Sequence, residues 1–292
     1  MMHARFPLFT LCFAICSGSC TTSESHPVID AAAGHADSAI VVTPETRTLR
    51  VEPIVTAPGS EETRCIVLDL NNETPMLLRG ITVRLDEGSH HLIVSRTTDA
   101  VAPTPTPCGA FAHGTAQAIF IAQRTDSGLR YPEGSGLPVA PHQHIAIEMH
   151  YINYFSSEPR GIGASVEFEL EPVPSVFDEV HILFTGPISL YLPARMETTV
   201  TEVQALPPGA RVIGLTTHTH QLGTYASLRD VDGALLQEST DWAEPPLAVF
   251  DPPLRLGEVE LTCVYDNTTD RDVTFGTGFA DEMCFFWAYY LD

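Results

Sequence analysis

The sequence predicts an all-β protein built from antiparallel sandwiches. Short runs rich in β-branched and aromatic residues recur along the chain, at 66–70, 91–96, 145–151, 166–170, 212–217 and 284–291. Pro, Gly, Asn and Asp fall between them, and no long stretch carries a helical period. At 292 residues and 44% hydrophobic the chain can bury a sizeable core, and about 150 residues per domain suggests two sandwiches. Glu171-Pro172-Val173-Pro174 is the natural joint, because two prolines in four residues cannot sit within a central strand. The expected division is therefore 47–172 and 173–292. No strong internal repeat relates the halves, so their similarity rests on length and pattern.

Ahead of these, residues 1–20 read as an export signal: Arg5 supplies the positive end, and 6–16 is apolar but too short to span a membrane. Cys20 follows small residues and is a lipidation candidate of the bacterial lipoprotein type, although Ser17 stands where an aliphatic residue is usual. Ordinary cleavage nearby would give a soluble exported protein. Residues 21–46 read as a flexible linker. The expected location is the bacterial periplasm, the outer membrane as a lipoprotein, or the extracellular space, with a lipid anchor as the one route to a membrane. Lys and Arg number 15 against 37 Asp and Glu, a net charge of −22 spread along the chain. That balance argues against nucleic acid and against anionic membrane surfaces as partners.

Seven cysteines divide into Cys12, Cys16 and Cys20 in the leader and Cys65, Cys108, Cys263 and Cys284 in the body. In an exported protein an even body set points to disulfides rather than thiolate metal sites. If each half pairs its own two, loop entropy assigns roughly 4 kcal/mol to Cys65–Cys108 and roughly 3 to Cys263–Cys284.

The chemistry concentrates in four strings: His90-His91, Glu148-Met149-His150-Tyr151, His218-Thr219-His220 and Asp281-Glu282-Met283-Cys284. They supply six candidate copper ligands, grouped as three imidazoles (His90, His91, His150) and two imidazoles with a thioether (His218, His220, Met283). Imidazole suits both copper oxidation states, while Met sulfur favours Cu(I). Each string has an ordinary reading as well. His150 shares a strand face with His144, Ala146 and Glu148, away from the apolar face, where a lone histidine is usually a surface residue. His218 and His220, one residue apart, leave a strand from the same face in chelating geometry, but His142-Gln143-His144 has the same spacing and reads as surface or supporting residues. His90 and His91 diverge on a regular strand, so joint ligation needs a bulge or an irregular turn at Glu87-Gly88-Ser89. Met283, beside Phe285, Phe286 and Trp287, is alone a core residue.

The combination and its order change these readings. From about residue 47 to 292 the chain resembles the ascorbate-dependent type II copper monooxygenases, the family of the peptidylglycine α-hydroxylating and dopamine β-monooxygenases. The shared features are His-His followed by Leu-Ile-Val, then His-Tyr, then His-Thr-His with Leu222-Gly223, then Asp-Glu-Met-Cys. The resemblance implies two jelly-roll-like sandwiches, each with one copper ion, facing across a solvent-filled cleft. His90, His91 and His150 would hold the electron-donating copper. His218, His220 and Met283 would hold the catalytic copper, where O2 is activated to hydroxylate a substrate C–H bond, with ascorbate or another one-electron donor as reductant. The body cysteines also fall where family disulfides would place them, Cys263–Cys284 more clearly.

Departures from the family fall on the substrate side. Thr216 stands where amidating members carry an Arg for the substrate carboxylate, and a hydroxyl cannot replace a bidentate guanidinium. Phe285 and Trp287 replace an Asn and a Tyr, and Glu148 replaces a Gln near the donor copper. Strand alternation puts Met283, Phe285, Trp287 and Tyr289 on one face. Thr216, Phe285 and Trp287 are therefore the substrate-site candidates, and the expected substrate is a small, uncharged, apolar or aromatic molecule. A non-catalytic copper-binding, storage or delivery protein of the same fold is the alternative; only oxygen consumption in step with product separates the two. A structural surface module that binds copper incidentally is a third reading, marked by weak or sub-stoichiometric loading.

Overall fold

The computed structural model describes residues 43–109, 115–154 and 156–292. The leader with Cys12, Cys16 and Cys20, and nearly all of the expected linker, lie outside them. The described residues contain no helix, and the predicted all-β class holds. The strands in the first part are β1 (Glu45–Thr56), β2 (Glu61–Asp69), β3 (Met76–Leu85), β4 (Ser89–Thr97), β5 (Ala102–Pro107), β6 (Gln117–Ala122), β7 (Asp126–Arg130), β8 (Ser135–Val139), β9 (His144–Ile152) and β10 (Arg160–Pro172). They continue as β11 (Asp178–Thr185), β12 (Tyr191–Leu192), β13 (Met196–Ala205), β14 (Arg211–His218), β15 (Gly223–Arg229), β16 (Leu235–Ser239), β17 (Ala248–Arg255), β18 (Glu258–Asn267), β19 (Val273–Thr274) and β20 (Phe285–Leu291).

One sheet carries both metal-ligand strings of the first part to one place. The order β5-β2-β9-β4-β6 sets the His90-His91 strand directly beside the His150 strand. A larger sheet runs β1-β10-β3-β8-β11-β20-β14-β17, with β7 also on β3, and crosses from the first part to the second through the parallel pairing of β8 with β11. The order β13-β18-β15-β16 completes the second part, and β12 pairs with β19. β10 ends at Pro172, and an exposed connection carrying Val173 and Val176 leads into β11.

β20 shows why its sequence is apolar at nearly every position. Trp287, Tyr289 and Leu291 join the hydrophobic core of the first part, while Phe286 and Ala288 join that of the second. Alternate side chains leave opposite faces of a strand, so a strand that walls two cores needs no polar face. Fully burying each such side chain contributes about 1.5–3 kcal/mol. The Tyr289 hydroxyl also accepts a hydrogen bond from the Ile121 N–H at 3.0 Å, tying β20 to β6.

Both disulfides, Cys65–Cys108 and Cys263–Cys284, are formed. The first links β2 to the segment after β5. The second links β18 to the residue that follows Met283.

Candidate metal centre

Adjacent imidazoles on a regular strand diverge, but β4 is not regular where it carries them. Ser89 pairs with Tyr151 and His91 with His150, so His90 is an extra residue in a bulge. The His90 and His91 rings stay together, with centroids 5.0 Å apart. Gly88 leads into the bulge with φ at +101°, and a Cβ there would stand 2.8 Å from Ile162 Cδ1, so both conformation and space call for glycine. His150 completes the group from β9, its ring 5.3 Å from His90 and 5.1 Å from His91. Its strand face, expected to be half open, is buried along with Glu148.

The second group forms differently from the strand alternation expected. β14 stops at His218, opposite Phe285, and His220 lies in the turn beyond. The Glu282 carboxylate positions that turn. Its Oε2 accepts from the His220 N–H at 2.9 Å and the Met283 N–H at 3.3 Å, and its Oε1 accepts from the Leu222 N–H at 2.7 Å. One fully buried side chain thus clasps the His-x-His turn to the Met283 segment. The Tyr265 hydroxyl donates to the Met283 carbonyl at 2.6 Å, and the Cys263–Cys284 bond anchors the next residue. The His218 and His220 rings stand nearly perpendicular, 5.3 Å apart, and Met283 is buried.

Among the described residues the two groups adjoin, whereas the family resemblance implied that they face across a solvent-filled cleft. The His90 ring lies 5.7 Å from both His218 and His220, and His91 lies 5.4 Å from His218. Ring nitrogens of His90, His91 and His150 converge within 4.8 Å of one another, as do those of His90, His218 and His220. All five imidazoles are buried in one contiguous cluster, and His90 belongs to both triads.

Hydrogen bonds to acceptor-only oxygens place the protons on three rings. His150 donates from Nε2 to Glu61 Oε1 at 2.7 Å, leaving Nδ1 free. His218 donates from Nδ1 to Gln123 Oε1 at 2.5 Å, and His220 from Nδ1 to the Asp281 carbonyl at 3.0 Å, so each presents Nε2. Hydrogen-bonding one nitrogen decides which nitrogen remains to bind a metal. Both ring nitrogens of His90 and Nδ1 of His91 are buried without a hydrogen-bond partner. Leaving such an atom unpaired costs about 1–3 kcal/mol, and a metal ion satisfies it. The residues present therefore fit copper: neutral imidazoles with free lone pairs, and a thioether in the adjoining segment.

Electrostatics favour the same state. Burial, then the neighbouring imidazoles, hold His90, His91 and His218 well below the ordinary histidine range. Burial also lowers His220, against the opposing hydrogen bond to Asp281. Burial raises Glu282 to about 7, against the N–H donors of Leu222, His220 and Met283. Burial works against the charge of Glu61 too, but hydrogen bonds from His150 and the Phe279 N–H hold it below the usual carboxylate value.

Among the other sequence candidates, His142 is exposed near Asp69 and Glu73, and His144 donates from Nδ1 to the Asp99 carbonyl; neither joins the cluster. Trp287 stacks on Phe184 at 4.3 Å inside the first core, and Phe285 packs between Phe184 and Phe275. Both are buried, and Trp287 with Phe184 also lines a cavity of about 580 Å³ beside Arg96, Glu179 and Tyr290. Thr216 is buried, its hydroxyl accepting from Gln123 Nε2 at 3.1 Å. The cavity of about 240 Å³ that it lines also contains Arg124 and Asp126, so this edge is not devoid of a cation as Thr216 alone suggested.

Spacing gave no signal for Glu61, Gln123 or Trp242. Trp242 meets His90 edge-on at 5.3 Å and lines a cavity of about 310 Å³ with His90, Ser89, Asn153, Arg160 and Glu244. A turn between β16 and β17 brings it there, and only the folded chain reveals that.

Comparison with known proteins bears on the second part. Residues 194–292 match the family described as the copper type II ascorbate-dependent monooxygenase, C-terminal domain. Among solved structures, the STIV MCP is 12% identical over 85% of this chain and 95% of that chain, with a TM-score of 0.36. The major capsid protein P2 from bacteriophage PM2 is 10% identical over 85% and 97%, with a TM-score of 0.34. Likeness at such scores carries no argument. The matched segment, by contrast, contains His218, His220, Met283 and the Glu282 clasp that joins them. Over residues 194–292 the chain is thus similar to the C-terminal domain of the copper type II, ascorbate-dependent monooxygenases.

Proposed function

We propose that the protein is an exported monooxygenase that hydroxylates a C–H bond of a small molecule, using O2, two copper ions and a one-electron donor such as ascorbate. The observation that carries the proposal is the buried cluster of five imidazoles, with unpartnered nitrogens on His90 and His91, two of whose members lie in the family-matched segment. Copper, when bound, supplies one-electron redox chemistry and the capacity to activate oxygen.

The chain's own residues do the remainder. His90, His91 and His150 would hold one ion, and His218, His220 and Met283 the other. Glu61 and the Asp281 carbonyl would determine which nitrogens of His150 and His220 are left for copper. Burial of all five rings excludes bulk water, and it holds His90, His91, His218 and His220 below the ordinary histidine range. Trp242 and His90 line the cavity that opens onto the cluster, so substrate would approach there. Charges of both signs line it, Arg160 against Glu87 and Glu244, and Arg124 stands with Asp126 in the neighbouring cavity. One Arg against two Glu leaves the cavity beside His90 with an excess of negative charge, which disfavours an anionic substrate.

The test is oxygen uptake by copper-loaded protein under ascorbate, with neutral aromatic and aliphatic compounds beside a glycine-extended peptide. Uptake matched by hydroxylated neutral product is expected. Copper loading without substrate-dependent uptake would favour storage or delivery, and efficient amidation of the peptide would overturn the substrate assignment.

A further inference from the structure

The first part of the chain reaches into the second group of ligands through one side chain, Gln123. It follows directly on β6, which pairs with β4, the strand that carries His91. It is 5% exposed, and its whole amide is engaged with the second part. Nε2 donates to the Thr217 carbonyl at 3.0 Å and to Thr216 Oγ1 at 3.1 Å. A carbonyl can only accept, so the amide nitrogen must face Thr217 and the amide oxygen must face His218. That oxygen accepts from His218 Nδ1 at 2.5 Å.

We infer that Gln123 is a positioning residue for the second metal site: it fixes His218 as the Nδ1–H tautomer, aims Nε2 at the metal, and does so from the half of the chain that holds the other ligand group. The inference rests on the proposed copper function. Without this acceptor, neutral His218 could carry its proton on either nitrogen, and the Nε2–H form has no lone pair toward the metal. Partners of this kind typically account for 10–100-fold in metal affinity. Gln123 also explains how Thr216 stays buried: its hydroxyl is occupied by the same amide that orients the histidine.

Two substitutions separate orienting the ring from merely filling the space. Gln123→Glu keeps an acceptor for His218 Nδ1–H and loses the donors to Thr216 and Thr217. Gln123→Met keeps the volume and loses both. Full-length wild type and variants are titrated with Cu(II) against a competing chelator, and the protonated nitrogen of His218 is read by nitrogen-15 NMR of the metal-free proteins.

The expected result is one copper equivalent weakened about 10–100-fold in Gln123→Met and close to wild type in Gln123→Glu. His218 should be Nδ1–H in wild type and Gln123→Glu, and a tautomer mixture in Gln123→Met. Equal weakening of the two variants would mean that Gln123 acts through Thr216 and Thr217, and would overturn the inference. So would wild-type affinity in Gln123→Met, or an Nε2–H His218 in wild type, which needs only the wild-type protein. Wild type that binds no copper would instead overturn the copper reading, a failure distinguishable because the tautomer is measured without metal.

Discussion

The two ligand groups meet in one cluster, yet the protein holds them in different ways. In the first, only His150 is fixed by an acceptor, Glu61, while His90 and His91 stand in a bulge with buried nitrogens unpaired. In the second, both rings are fixed through Nδ1, the turn is clasped by Glu282, and a disulfide anchors the residue after Met283. The second is organised by the fold, and the first leaves its organisation to the metal. Under the proposed function, the group formed by His218 and His220 would be built before copper arrives, whereas copper would complete the His90-His91 group.

The largest expected effect follows from removing the clasp. Glu282→Ala strips the acceptor from the N–H groups of His220, Leu222 and Met283, each costing about 1–3 kcal/mol if left unpaired. Denaturant unfolding should show a loss of about 3 kcal/mol or more, and metal analysis should show the second copper lost with the first retained. Loss of the first alone would reverse the comparison. Replacing Cys263 and Cys284 by Ala opens a loop of sequence separation 21 and should cost roughly 3 kcal/mol. Copper at the second group should weaken with it, whereas opening Cys65–Cys108, with a separation of 43, should cost roughly 4 kcal/mol of stability and touch that copper least.

Proton linkage probes the rings together. His90, His91, His218 and His220 are held below their ordinary value in the folded, metal-free protein. As pH falls below about 6.5 the unfolded chain takes up protons there that the folded chain refuses. Metal-free stability should therefore be fully present above about pH 7 and decline below it, by up to about 1.4 kcal/mol per pH unit for each imidazole. Alanine at His90 and His91 should flatten the decline, and an unchanged slope would contradict their burial as neutral rings. The smallest effect on occupancy belongs to Met283→Leu. The clasp and both imidazoles remain, so copper should stay bound while Cu(I) is disfavoured and oxygen uptake falls further than copper content. Parallel losses would remove the specific role for sulfur.

Much of this was legible in the sequence, for identifiable reasons. Strand alternation and turn residues marked the all-β class. His-His after Glu87-Gly88-Ser89 required a bulge or an irregular turn for both rings to share a site, and β4 bulges there. His-x-His beside Leu222-Gly223 and the Asp-Glu-Met-Cys string marked the segment that the family comparison matches. What escaped was tertiary. Alternation put Phe285 and Trp287 on one face with Met283, but periodicity cannot show that β20 walls two cores or that Trp287 lines a cavity with Phe184. Glu61 lies 89 residues from His150, and Gln123 lies 95 from His218, with no spacing to connect either pair. The contiguity of the two ligand groups depends on how β4 and β9 meet the end of β14, which no local pattern encodes.

The two adjoining imidazole groups are proposed to hold one copper ion each. Copper content measured on wild type and on His218→Ala/His220→Ala, after identical loading and desalting, tests this proposal most directly. Two equivalents are expected in wild type and one in the double variant, retained on His90, His91 and His150. Wild type saturating at one equivalent, or a double variant that loses both or neither, would contradict it.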